Sequence, residues 1–250
     1  MRRLLLAALV ALLAVPAAAE RLVSTLSTPT VLITSSFDGA TLSLFGSIEA
    51  DGPDDVVGGP YHVISVITGP TQDRVTRIKT NQFGIWTNTD AVAFRHFPSF
   101  YAVFSSGKLD NIAPPELLEG MAIRPEDQAR RAAQTGGAKG ERFGLELVRL
   151  MKEEGHFLLR EDNVRFLSDT AFVVNVALPS DVANGPFIVH TLILKDRQVV
   201  AERSDAFAVR KSGFESFLFV MSRQQPLLYG LACVLLALGT GWLAGVVFKR

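Results

Sequence analysis

Four histidines, His62, His96, His156 and His190, are the chain's whole supply of imidazole, and they stand singly. A zinc or copper site needs several ligands at short, defined spacings. No HExxH, no HxH and no acidic residue at a ligand interval accompanies any of the four. His62 and His190 fall in strand-like runs, where an imidazole on a solvated face is the commoner use, and His156 follows the helix-ending Gly155. Ser105, Ser106, His96 and Asp110 supply the residue types of a Ser-His-Asp hydrolase close together, but the GxSxG elbow that would expose such a serine is missing. Asp51, Asp54 and Asp55 lie among Gly52, Pro53 and Gly58-Gly59, a solvated-loop composition rather than a pair of catalytic carboxylates. Neither GxxxxGK[ST] nor GxGxxG occurs, so the backbone devices that cradle phosphates and dinucleotides are absent and no cofactor is expected.

Cys233 is the single cysteine and sits inside a C-terminal apolar run. The region before it can therefore form no disulfide, and thiolate catalysis, CxxC redox chemistry, Fe–S ligation and cysteine-zinc sites are excluded there. Lysine plus arginine (25) balances aspartate plus glutamate (25), with no block of like charge, which argues against nucleic acid as a partner.

The residues left to consider are aromatic. Trp86, Phe94, Phe97, Phe100, Tyr101 and Phe104 crowd one stretch, and four of them, Trp86, Phe97, Phe100 and Tyr101, are the candidates for a recognition surface. The competing account, that they fill the core, is the simpler one.

Around these residues, strand-like runs cover 30–35 and 41–48 on either side of Asp38-Gly39, which predicts a hairpin, then 61–68, 74–79, 84–87 and 100–105. The pattern changes at Pro114-Pro115. Residues 116–121 and 125–134 look helical, 136–140 (GGAKG) reads as a flexible joint, and 141–154 reads as a helix placing Phe143, Leu147, Val148 and Met151 on one side. Strand patterns return at 163–167, 171–178, 187–194 and 199–209, with a turn at Asp196. The expected fold is mainly β: one β-sandwich-like domain over 20–210 with a helical insertion at about 114–155.

Both termini are apolar. Arg2-Arg3, the run 4–15 and Ala17-Ala18-Ala19 describe a secretory signal peptide over 1–19 with cleavage before Glu20; an uncleaved anchor is the alternative, and either one exports the domain behind it. After a juxtamembrane segment at 211–225, residues 226–248 form an apolar stretch with no charge from Leu227 to Phe248. As a helix it is long enough to span a bilayer, leaving Lys249-Arg250 as a cytoplasmic tail. Cys233, Ala237, Gly241 and Gly245 recur every four residues on one face of it, either a packing face for another helix or the ordinary small-residue content of spanning helices.

An order of features runs through nearly the whole chain. After the signal peptide come Gly69-Pro70, Gly84-Ile85-Trp86, Pro98-Ser99-Phe100-Tyr101, Leu178-Pro179 and Lys211-Ser212-Gly213-Phe214-Glu215; Pro226, Tyr229-Gly230 and Gly241-Trp242 complete it. This layout resembles the alphaproteobacterial family called "putative transmembrane protein". The resemblance implies a bacterial inner-membrane protein facing the periplasm and supplies no catalytic residues; it also suggests an accessory role beside permeases of the sulfite or sulfonate exporter kind. The functional expectation is a non-enzymatic periplasmic domain that contacts the lipid bilayer and an integral membrane permease or envelope protein. A solute- or metal-binding sensor and a membrane-anchored hydrolase are the alternatives.

Overall fold

The computed structural model of the chain describes residues 20–34, 37–50, 57–133 and 137–247. The expected signal peptide at 1–19, the acidic loop at 51–55 and the tail at 248–250 lie outside them. In chain order the strands are β1 (Glu20–Leu26), β2 (Thr30–Ile33), β3 (Ala40–Ala50), β4 (His62–Thr68), β5 (Thr71–Gln82), β6 (Ile85–Pro98) and β7 (Tyr101–Ser105). Helices α1 (Leu109–Ile112), α2 (Pro115–Gly120), α3 (Pro125–Ala133) and α4 (Gly137–Glu153) come next. Then come β8 (Phe157–Arg160), β9 (Val164–Phe166), β10 (Ala171–Leu178), β11 (Gly185–Lys195) and β12 (Gln198–Lys211), and finally helices α5 (Phe214–Gln224) and α6 (Pro226–Val247).

Two sheets face each other. One has the order β1-β3-β10-β9, all antiparallel; the other is β2-β12-β11-β4-β7-β8, with parallel pairs only at its two edges. Alternating residues of β3 and β10, Leu42, Leu44, Ile48, Phe172, Val174 and Val176, meet Val63, Ile67, Phe104, Phe187, Val189 and Ile193 of the second sheet to form the inter-sheet core. Gly46 interrupts the inward row of β3 because the ring of Phe172, its cross-strand partner, fills the space; a Cβ there would lie 2.2 Å from that ring.

The second sheet is covered on its other face too, by α1–α4 and the root of the β5–β6 pair. Burial on both faces explains why β4 is buried without alternation from Val63 to Ile67 and reads as a continuous apolar run. Phe143, Leu147, Val148 and Met151 of α4 are buried in this layer, as their spacing predicts. The chain is thus mainly β with a helical insertion and one C-terminal apolar helix.

Two local expectations are overturned. Asp38-Gly39 does not close a hairpin: β2 pairs parallel with β12 in one sheet, while β3 pairs with β1 and β10 in the other, so this segment crosses between layers. The propensity signal located the turn residues but carried no information on partners, which the inter-sheet core decides. Of the expected joint at 136–140, Gly136 lies outside the described residues and 137–140 do not form a joint. They are the first turn of α4, and Gly140 and Gly144 are buried, Gly144 so close to α3 that a Cβ would lie 3.1 Å from the Ala129 carbonyl oxygen. Close helix approach, not flexibility, is the use of this glycine.

Candidate functional site

β5 and β6 form a two-stranded sheet of their own, paired from Thr71–Pro98 to Gln82–Ile85. The ribbon is the β4–β7 hairpin carried onward: the Gly69 amide donates to the Phe100 carbonyl (2.8 Å) and the Ser99 amide to the Pro70 carbonyl (3.0 Å), so the ladder runs unbroken through the bend. Gly69 is required there because a Cβ would meet the Phe187 ring at 2.9 Å and the Phe100 Cβ at 3.0 Å. One face of the ribbon is covered. Thr76 is buried, Ile78 and Val92 pack against the helical layer, and Lys139 of α4 pairs with Asp90 at 2.6 Å.

The opposite face and the tip are open. Register puts Val75, Arg77, Lys79 and Trp86 on the same side, Trp86 opposite Asn81 and Lys79 opposite Asn88. At the tip Phe83 is fully exposed, and Ile85 and Trp86 are 67% and 68% exposed. The two turn residues, Phe83 and Gly84, have φ of +53° and +84°, and the Asn81 side chain accepts from the Gly84 amide at 2.8 Å. Positive φ at both central positions matches the twist of a two-residue hairpin but is unfavourable for a bulky residue; asparagine is the usual occupant.

The four aromatic candidates therefore separate. Phe97, Phe100 and Tyr101 are 1%, 0% and 3% exposed and belong to the cores, with the Phe97 ring stacked on Phe157 at 5.5 Å. Only Trp86 faces solvent. Phe83, three residues before Trp86 in the same aromatic segment, was not among the four candidates; the signal that could have added it was a Phe-Gly pair between two strand-like runs.

The residue types of a hydrolase are engaged separately. Ser105 Oγ donates to the Gly107 carbonyl (2.7 Å), Ser106 Oγ lies 3.5 Å from His62 Nδ1, and Asp110 pairs with Arg124. His96, at φ +54°, has its amide bonded to Asp73. His156 is buried with Nε2 3.1 Å from Asp181, and His190 Nδ1 is 2.8 Å from Ser204 Oγ. Among the described residues, no three His, Cys, Asp or Glu side chains gather as a metal site would require.

A cleft of about 240 Å³ opens beside Tyr101, Gln128, Arg131 and His190. Its polar groups are largely spoken for: Tyr101 donates to the Ala122 and Ile123 carbonyls (2.9 and 3.0 Å), Gln128 to Ala122, and Arg131 to the Gly120 carbonyl. Burial pushes the Tyr101 phenol far above its ordinary range, so it stays protonated as a donor.

Pro226–Val247 is a 22-residue helix, about 33 Å long at 1.5 Å per residue, against roughly 30 Å of hydrocarbon in a bilayer. None of its apolar window is buried against the rest of the chain. Cys233, Ala237, Gly241 and Gly245 are all exposed, and a Cβ at either glycine would touch nothing within 4 Å. Thr240, the polar side chain between them, returns its hydroxyl to the Leu236 and Ala237 carbonyls, which satisfies that donor within the helix.

A family model described as "Putative transmembrane protein (Alph_Pro_TM)" matches residues 21–250. No curated protein matches the chain.

Proposed function

The chain belongs to the Alph_Pro_TM family of transmembrane proteins, and on that premise we propose that it is a non-enzymatic accessory protein of the bacterial inner membrane. Its β domain faces the periplasm, reached through the N-terminal signal segment, and its C-terminus lies in the cytoplasm. There it serves an integral permease or an envelope complex. One observation carries this reading: the large apolar surface that the fold leaves uncovered lies mainly on α6 and the ribbon tip, while Ser105, Ser106 and Asp110, the side chains that could serve hydrolysis, are engaged with separate partners. Such a division suits association more than turnover, which needs polar groups converging on a cleft.

The small-residue face of α6 is the natural place for a partner helix, since glycine and alanine let backbones approach and dispersion and weak hydrogen bonds act over a short distance. Mild crosslinking in native membranes, detergent extraction and mass spectrometry of the proteins that travel with the chain form the test. Recovery of one permease or envelope subunit, lost when Gly241→Leu and Gly245→Leu are combined, is the expected result. A solitary protein at every crosslinker dose would remove the accessory role.

The small cleft beside Arg131 and His190 favours a second reading, a sensor for a small anionic solute. At about 240 Å³ it lies below the usual 300–1,000 Å³ of ligand pockets, so only a compact solute would fit. A concentration-dependent rise in the full-length protein's melting temperature with such a solute, abolished by Arg131→Ala, would establish it.

A further inference from the structure

We infer that the tip of the β5–β6 ribbon is a second membrane contact, seated in the headgroup layer of an anionic phospholipid bilayer. The inference rests on α6 as the anchor in that same bilayer. Three observations carry it, the first being chemical. The tip presents Phe83, Ile85 and Trp86 to solvent, and the open face behind it carries Arg77 and Lys79, neither of which takes an ion-pair partner among the described residues. Aromatic side chains ahead of cations are what a headgroup layer accommodates: rings at the level of the glycerol and acyl boundary, cations among the phosphates.

The second observation is position. β4 and β12 run in the same direction through β11, with Thr68 opposite Ile188 and Gly185 opposite Val209. The root of the ribbon at Gly69-Pro70 and the end of β12 at Lys211 therefore leave the sheet at the same end, and Pro70 packs close to Gly185. Only Ser212-Gly213, α5 and Gln225 separate β12 from α6. An 11-residue helix contributes about 17 Å and three linking residues at most about 10 Å, so that end of the sheet is held within about 27 Å of the start of α6. The 12-residue β5 is about 40 Å long, enough to cover that distance.

The third is cost. Phe83 occupies a left-handed turn position where asparagine would be favoured, and it gains no burial in return within the chain. An aromatic ring kept under those conditions points to a use outside the fold.

The two tryptophans of the full chain, Trp86 and Trp242, make the test direct. Trp242→Phe leaves Trp86 as the lone reporter, and Trp86→Phe leaves Trp242. Each is reconstituted in nanodiscs of phosphatidylethanolamine and phosphatidylglycerol, with or without lipids brominated near the head of the acyl chain. Trp86 is expected to shift to the blue and to lose intensity to the bromolipid. Arg77→Gln with Lys79→Gln, or nanodiscs of phosphatidylcholine alone, should lower the ratio of seated to free tip by about thirtyfold, at roughly fivefold for each cation lost from an anionic surface. Trp86 that stays water-like while Trp242 is quenched overturns the ribbon contact and leaves the anchor standing. Trp242 that escapes quenching overturns the anchor, and the inference with it. Shielding of Trp86 only after a co-purified protein is added would assign the tip to that protein and overturn the lipid contact.

Discussion

Tyr101 has one hydroxyl proton and two carbonyl acceptors, on Ala122 and Ile123, and it links the central sheet to the turn after α2. Tyr101→Phe leaves both carbonyls without this donor in a buried site and is expected to cost about 1–3 kcal/mol in denaturant unfolding, with no effect on membrane association. Glu126 is a second residue with a legible role. Burial would raise its pKa, but the hydrogen bond from Lys152, the backbone and the charges of Lys152 and Arg124 together hold it below the ordinary 4.5. A depressed folded-state value means the stability it adds is present above 4.5 and is lost as pH falls through the lower folded-state value. Lys152→Met should therefore lift the Glu126 titration, read by carboxyl NMR, and narrow the stability gap between neutral and acid pH. The buried α4 residues were readable from sequence because 3.6-residue periodicity is a local property. For Phe97, Phe100 and Tyr101 the simpler account, the core, is the one the structure shows, but composition alone could not decide it, since aromatic content is the same in a core and on a recognition surface.

Among the elements, the ribbon tests whether local stability and outward function pull in opposite directions. Phe83→Asn supplies a residue suited to φ of +53° and removes an exposed ring, so hydrogen exchange near the turn should slow by an amount corresponding to about 1 kcal/mol. The same variant should weaken bromolipid quenching of Trp86. The α3–α4 contact makes the reverse case. Gly144→Val forces side-chain carbons into the Ala129 backbone and is expected to destabilise by about 1–3 kcal/mol in thermal unfolding, while a substitution at Gly245, where nothing lies within 4 Å, leaves domain stability unchanged. Strand positions were largely legible from alternation and punctuation. Strand partners were not. The 14-residue β6 was legible only at 84–87 because Asn88, Thr89 and Asp90 break the apolar pattern, and exposure on both sides near the tip removes the alternation that would mark a strand.

At the scale of the molecule, the two cores account for the domain without α6, whose apolar window is not buried against it. A chain ending at Lys211 should keep the cooperative unfolding and melting temperature of the intact domain and move to the aqueous phase on detergent partitioning; loss of the folded state on truncation would mean that α5 or α6 is part of the fold. The terminal helix was legible because about twenty apolar residues in a row have few other uses. The arrangement of the sandwich depended on contacts far apart in sequence. One of these is β2, which pairs parallel with Ala208–Lys211, the last rungs of the strand that leads to the anchor. Bilayer undulation, or a partner dragging on α6, transmits tension into β12 along its axis. With β11 bonded along one edge and β2 along the other, that tension loads many hydrogen bonds side by side in shear instead of opening them one after another. The join between tether and domain is thus built as a mechanical fastening, and β2 is its clasp.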